Sequence, residues 1–164
     1  MFRLLSSVRG WDTHHTPVRD AWWALDQAAE RLGKRLPTCL IGHSLGGRAA
    51  LLAANRPEVR SAVALAPWVD PNDDPPGLSG RQLLIIHGSD DRIASPERSA
   101  ALARRLSRQT RVGYITVDGG GHAMLGHHEL FDGLATEFAS ATLLDTPSSG
   151  PIARVLAGES WIRV

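Results

Sequence analysis

The chain has 164 residues, 43% of them hydrophobic, with 18 basic against 17 acidic side chains. That length suits one domain with a sizeable core, and a net charge of +1 makes no electrostatic case for a nucleic-acid partner. A single cysteine excludes a disulfide framework and a cysteine-rich zinc site, and no apolar run reaches the roughly eighteen residues that a membrane span needs. The first ten residues carry two arginines and only a short apolar patch, too little for a signal peptide. A reducing, cytoplasmic setting is therefore expected.

Residues 2–8 read as a short strand, followed by a polar loop through residue 16. Thr16 is suited to cap a helix and Pro17 to open it. Val18, Trp22, Leu25, Ala29 and Leu32 then recur on one helical face, closed by Gly33 and blocked by Pro37. Residues 38–41 form a short apolar run that leads at once into Gly42-His43-Ser44-Leu45-Gly46-Gly47. Residues 48–55 are helical and Pro57 stops them. Residues 61–66 read as a buried strand. Residues 67–80, with four prolines and two glycines, read as a loop. Residues 82–87 are the next strand. Ser95 caps a helix from Pro96 to about Gln109, residues 111–117 form a strand, and Gly119-Gly120-Gly121 makes a tight turn. Residues 122–142 read as a loop entering a helix. Residues 145–150 look like a linker, before a weakly helical 151–158 and a terminal WIRV. Strands alternating with helices imply an α/β fold: a mainly parallel sheet of about five strands with helices on both faces.

Gly42-His43-Ser44-Leu45-Gly46 fits G-x-S-x-G between an apolar strand and a helix. A serine hydroxyl is a weak nucleophile and must be presented to a base. A sharp strand-to-helix turn does this by holding the serine in a strained conformation. The close passage of strand and helix asks for little bulk at Gly42 and Gly46. The Leu45 amide, at the start of the helix, is placed to stabilise an oxyanion. A phosphate-binding loop is the competing reading, but the Lys-Ser/Thr of a P-loop and the third glycine of a dinucleotide fingerprint are absent. In this order of elements an acid and then a base follow the serine. His87-Gly88-Ser89-Asp90-Asp91 follows one strand, and Asp118-Gly119-Gly120-Gly121-His122 follows the next. Both loops lie at the carboxyl edge of the sheet, where ligands bind.

With GHSLGG, HGSDDRIASPE and GGGHAML in this order, the chain resembles the α/β-hydrolase superfamily, in particular its small, cap-less, esterase-like and dienelactone-hydrolase-like members. The resemblance runs from about residue 2 to about residue 140. It implies residues 1–144 as a partial α/β-hydrolase domain, with 145–164 a linker and tail. It implies a serine hydrolase acting on an ester, thioester or related acyl bond, a carboxylic ester first among them, through Ser44, Asp91 and His122. Asp91 is selected over Asp90 because the family's acid lies four residues after the histidine. The partner implied is a small-molecule acyl substrate, with no nucleic acid, no membrane, no metal and no organic cofactor.

The chain departs from the family at its front. The strands that normally precede residues 2–8 are absent, and with them a turn that supplies a second oxyanion donor, worth about 10²–10³ in rate. The strand that normally lies between the first two is missing too, so either residues 2–8 fill its slot or the sheet has a gap or a bare edge, and an exposed edge invites self-association. A start at an internal methionine, or a shortened gene, is the expected cause. A non-catalytic remnant and an acyltransferase are the competing readings. Residues 67–80 are too short for a cap domain, which leaves an open site with Trp68 and Trp11 as candidate walls. The remaining candidates read as structural. His43 packs or bonds to backbone, and His87 supports its loop. His14-His15 and His127-His128-Glu129 lack metal-binding spacing. Arg104, Arg105, Arg108 and Arg111 form a solvated face. Cys39, on the strand before the turn, is a small buried hydrophobe.

Overall fold

The computed structural model describes residues 15–164. The strand read at residues 2–8, and with it Trp11 and His14, lies outside the described residues.

Five parallel strands form one sheet in the order β1 (Thr38–His43), β2 (Val59–Leu65), β3 (Gln82–Gly88), β4 (Arg111–Val117) and β5 (Trp161–Arg163). The helices are α1 (Thr16–Leu32), α2 (Leu45–Ala53), α3 (Pro96–Leu106), α4 (His128–Leu144) and α5 (Gly150–Leu156). Side chains alternate across a strand, and the sheet divides accordingly. Ala62, Ala64, Leu83, Ile85, Val112 and Tyr114 face Leu25 of α1, Leu51 of α2, and Leu102 and Leu106 of α3. Val63, Leu65, Leu84, Ile86, Ile115 and Val117 face Phe131 and Phe138 of α4, and Ile152 and Val155 of α5. Burial on both faces is why the inner strands read as unbroken apolar runs. Polar pairs also lie within the core: Ser61 Oγ is 2.7 Å from Thr142 Oγ1, tying β2 to α4 with both hydroxyls paired.

Several helix boundaries differ from the sequence reading: α2 starts at Leu45 and ends at Ala53 rather than spanning 48–55, and α5 spans Gly150–Leu156 rather than 151–158. α1 starts at Thr16, with His15 rather than Thr16 in the capping position and at φ 52°. Val18 and Ala21 pack on Leu52 and Ala53, while Leu32, 58% exposed, has left the buried face. α3 is capped by Ser95, whose Oγ accepts the Arg98 N–H at 3.2 Å. It ends at Leu106, where the Ser107 hydroxyl turns back to the Ala103 carbonyl.

The end of the tail joins the sheet, while residues 145–149 before α5 carry no regular secondary structure. Tyr114, Ile115 and Thr116 of β4 pair with Trp161, Ile162 and Arg163, and Ile152, Val155 and Ile162 are buried. Gly113 makes room for α5, since a Cβ there would stand 2.5 Å from Val155 Cγ1. A three-residue strand with one buried side chain carries too little periodicity to be read from sequence. Of the arginines read as a solvated face, Arg104, Arg108 and Arg111 are exposed and Arg105 is half-buried. The Arg104 guanidinium lies 4.6 Å from the Trp161 ring, and Arg105 donates to the Asp73 carbonyl.

Candidate active site

Three loops at the carboxyl edge build the site, one after each of β1, β3 and β4. The first is the β1–α2 turn. Ser44 sits there at φ 55°, ψ −120°, a conformation that costs a residue with a Cβ about 1–3 kcal/mol. The surroundings hold it. Ser44 N–H donates to the Leu65 carbonyl at 2.9 Å, and its own carbonyl accepts from Arg48 N–H at 3.1 Å and Trp68 N–H at 3.2 Å. A Cβ at Gly42 would overlap the Gly46 carbonyl, and one at Gly47 would press on the Gly42 carbonyl at 3.0 Å and Pro67 Cβ at 3.2 Å. At Gly46 a Cβ would meet nothing among the described residues. The tight positions are therefore 42 and 47, and Gly46 contributes its backbone rather than its missing side chain.

The second and third loops are fastened to each other. A Cβ at Gly88 would overlap the Gly120 carbonyl, so the two backbones touch. Ser89 N–H donates to Val117 at 2.9 Å, Asp90 N–H to Gly120 at 3.0 Å, and Gly119 N–H to Ser89 Oγ at 2.9 Å. This contact brings Asp91 and His122 together. Asp91 Oδ2 lies 2.8 Å from His122 Nδ1, and His122 Nε2 lies 3.0 Å from Ser44 Oγ. Asp90 points elsewhere, exposed and accepting the Ser89 hydroxyl at 2.9 Å. His43 Nε2 donates to the His122 carbonyl at 2.8 Å, with the two rings 4.9 Å apart, which steadies the backbone of the third loop.

The Asp91 carboxylate is fully buried yet fully served. Oδ1 accepts the N–H groups of Ile93 at 2.8 Å and Ala94 at 2.9 Å, and Oδ2 faces His122 and also His87 Nε2 at 3.1 Å. Burial pushes its pKa up, but the Ala94, His122 and Ile93 hydrogen bonds outweigh that and hold it below the ordinary carboxylate value. An ionised carboxylate has no proton to give, so His122 Nδ1 carries one and its Nε2 lone pair is left to accept the Ser44 hydroxyl. His87 is lowered by burial, against the pull of Asp91, and stays neutral.

Both shifts make stability fall with acid. As pH drops below about 6.5 the unfolded chain protonates His87 while the folded one does not, so the folded state loses ground. Below about 3.9 the unfolded carboxyl takes a proton that folded Asp91 refuses until its own lower pKa is reached, and the stability it contributes is lost as pH falls through that value. The urea midpoint is expected to fall from pH 7 to pH 5, and His87→Gln is expected to flatten that segment. Equal slopes in the two proteins would contradict a neutral buried His87.

The sequence reading missed two features. His87 bonds directly to Asp91, a link hidden because it spans a strand end and a loop. Arg48 and Asp73 form a buried bidentate pair beneath the site, with Nη2–Oδ1 at 2.7 Å and Nε–Oδ2 at 2.8 Å, and the Arg48 guanidinium lies 5.5 Å from the Trp68 ring. Nothing in the sequence pairs two residues 25 apart. Cys39 is half-buried on β1, with burial raising its thiol pKa.

Among the described residues no helix is long and apolar enough to cross a membrane. A search of curated proteins found no match. Among solved structures, the chain superposes on a putative alpha/beta hydrolase, ATU1826 of Agrobacterium tumefaciens, with TM-score 0.64 and 25% identity, over 97% of this chain and 69% of that one. It superposes on Est1E of Butyrivibrio proteoclasticus with TM-score 0.62 and 19% identity, over 77% of this chain and 69% of that one. An alpha-beta serine hydrolase homologue from Coxiella burnetii gives TM-score 0.64 and 21% identity, over 82% and 65%. A puromycin-hydrolysing peptidase of Mycobacterium tuberculosis is matched over only 26% of its own length. The sequence profile of the Alpha/beta hydrolase family matches residues 15–140. With that profile across most of the chain and the five-stranded parallel sheet beneath it, this protein belongs to the alpha/beta hydrolase family.

Proposed function

We propose that the chain is a serine hydrolase that cleaves an ester, thioester or related acyl bond, a carboxylic ester first among them. The observation that carries this reading is the unbroken line from Asp91 Oδ2 through His122 to Ser44 Oγ, at 2.8 and 3.0 Å. His122 Nε2 takes the hydroxyl proton as Ser44 Oγ bonds to the acyl carbon, and the carbonyl electron pair moves onto oxygen. Leu45 opens α2, so its N–H has no acceptor within the helix and is available to that oxyanion. The pair returns, the bond to the leaving group breaks, and Nε2 delivers its proton to that group. A water then repeats the cycle, giving its proton to Nε2, releasing the acid and restoring Ser44. Asp91 keeps Nδ1 protonated and offsets the positive charge on the ring. Trp68, tied to the Ser44 carbonyl and backed by Arg48, is the proposed apolar wall.

The test is labelling of the folded protein with a fluorophosphonate probe, beside hydrolysis of a short aryl ester. Labelling and turnover that both vanish in Ser44→Ala are expected. Folded protein with neither would establish the non-catalytic remnant. Product diverted to an added alcohol or amine in preference to water would establish the acyltransferase.

A further inference from the structure

Behind Asp91, on the side away from Ser44, lies a second imidazole that the mechanism above does not use. His87 has no exposed surface and sits at the end of β3. Its Nε2 is 3.1 Å from Asp91 Oδ2 and 3.2 Å from the Ala94 carbonyl. Neither the carboxylate nor the carbonyl can donate, so Nε2 carries the proton. Nδ1 is then a lone pair, 2.7 Å from the hydroxyl of buried Ser99, which must donate to it. The Tyr114 hydroxyl stands 3.0 Å from Ser99 Oγ and 3.0 Å from the Pro96 carbonyl, and completes the set as a donor. Ser99 Oγ also lies 2.9 Å from the Pro96 carbonyl, and with Nε2–H and the Ser99 hydroxyl so assigned the protons run from Ser99 toward His87 and from His87 toward Asp91.

Other charged and titratable groups near His87 leave that direction intact. On α3, Glu97 is exposed and engaged with the Ser95 hydroxyl at 2.7 Å. Beyond Asp91 lies His122, with His43 against it.

We infer that His87 is a positioning residue for the reaction: its Nε2–H, oriented by Ser99 at Nδ1, holds Asp91 Oδ2 in place for His122 and draws off part of the carboxylate's charge. It touches no substrate and acts only through Asp91. The catalytic consequence rests on the proposed serine-hydrolase reading; the hydrogen bond itself does not. A neutral donor suits this place. It strengthens as its own acceptor, Nδ1, is served by Ser99, and it adds no full positive charge to compete with the His122 imidazolium for Asp91.

Three variants test this. His87→Leu removes the donor, and kcat is expected to fall about tenfold with KM nearly unchanged, the worth of one hydrogen bond to a charged group. The acid limb of kcat/KM moves to higher pH, because a less-solvated Asp91 holds the imidazolium more tightly. The downfield proton resonance of His122 Nδ1–H shifts. His87→Gln, whose amide offers an N–H at the same reach, brings kcat back to within about threefold and the limb to its original place. Ser99→Ala frees Nδ1 and gives a smaller loss in the same direction, which keeps the test alive should His87→Leu not fold. Two results would overturn the proposal. One is a folded His87→Leu protein with unaltered kcat, acid limb and resonance. The other is equal impairment in Leu and Gln variants with limb and resonance unmoved, the mark of packing alone. Should the wild-type protein prove inactive, the serine-hydrolase reading fails, and the resonance still decides whether His87 positions Asp91.

Discussion

Ser44→Ala and His122→Ala are each expected to lower kcat by about 10⁶-fold, and the double variant to lower it no further, because in the proposed reaction nucleophile and base act as one unit. The geometry gives the reason. His122 Nε2 has one oriented acceptor lone pair, 3.0 Å from the one hydroxyl it serves. Once either partner is gone, the other has no proton to pass. Asp91→Asn is expected to cost about 10⁴-fold through a different route. Ile93 and Ala94 N–H groups both point at Oδ1, so the carbonyl oxygen of an asparagine stays there. Its NH₂ then takes the place of Oδ2 and faces His122 Nδ1 and His87 Nε2. A donor in that place forces the His122 proton onto Nε2, the atom that must accept from Ser44. Initial rates with an aryl ester, read beside melting curves that show each variant folded, check all four proteins. Additive losses in the double variant would mean that Ser44 and His122 do not act together.

Asp73→Ala is expected to destabilise the fold by about 3–5 kcal/mol, the scale for breaking a buried ion pair by removing one side. Arg48 and Asp73 expose only 6% and 3% of their side chains, so neither finds water when the other is removed. Asp73 also ties down its own loop. Its carboxylate accepts the Asp70 N–H at 2.8 Å, and its carbonyl accepts Arg105 Nε at 3.0 Å and Nη2 at 2.5 Å. Arg48 in turn lies one helical turn from Ser44 and backs Trp68. Urea unfolding followed by fluorescence measures the loss. The double variant Arg48→Met, Asp73→Leu is expected to recover most of it, because an apolar pair of similar volume carries no desolvation cost. A loss below about 1 kcal/mol in Asp73→Ala, the range of exposed pairs, would show that solvent reaches this site.

Much of this molecule is written in short stretches of its sequence. The apolar runs at β1, β2, β3 and β4, and the capping serine before α3, are local patterns, and local patterns are governed by side-chain period and backbone preference. The same holds for Gly42, whose close contact with the start of α2 lies within five residues of itself. Ser44, Asp91 and His122 were legible as candidates because each follows a strand directly, and parallel strands deliver such positions to one edge.

Other features had no local trace. β5 is too short to announce itself, and its place beside β4 depends on ladder bonds such as Val164 N–H to Thr116 at 2.9 Å. The carboxylate of Asp91, rather than its neighbour's, turns inward because Gly88 and Gly120 bring two loops into backbone contact. His87 gains its partners from α3 and β4, and Arg48 finds its counter-charge 25 residues away. By itself the sequence determined the alternation of elements and the residues standing at their ends, since those rest on neighbours in the chain. Only the tertiary structure decided which of those residues share protons, because a hydrogen bond is set within a few tenths of an ångström and only the packed core brings distant segments that close.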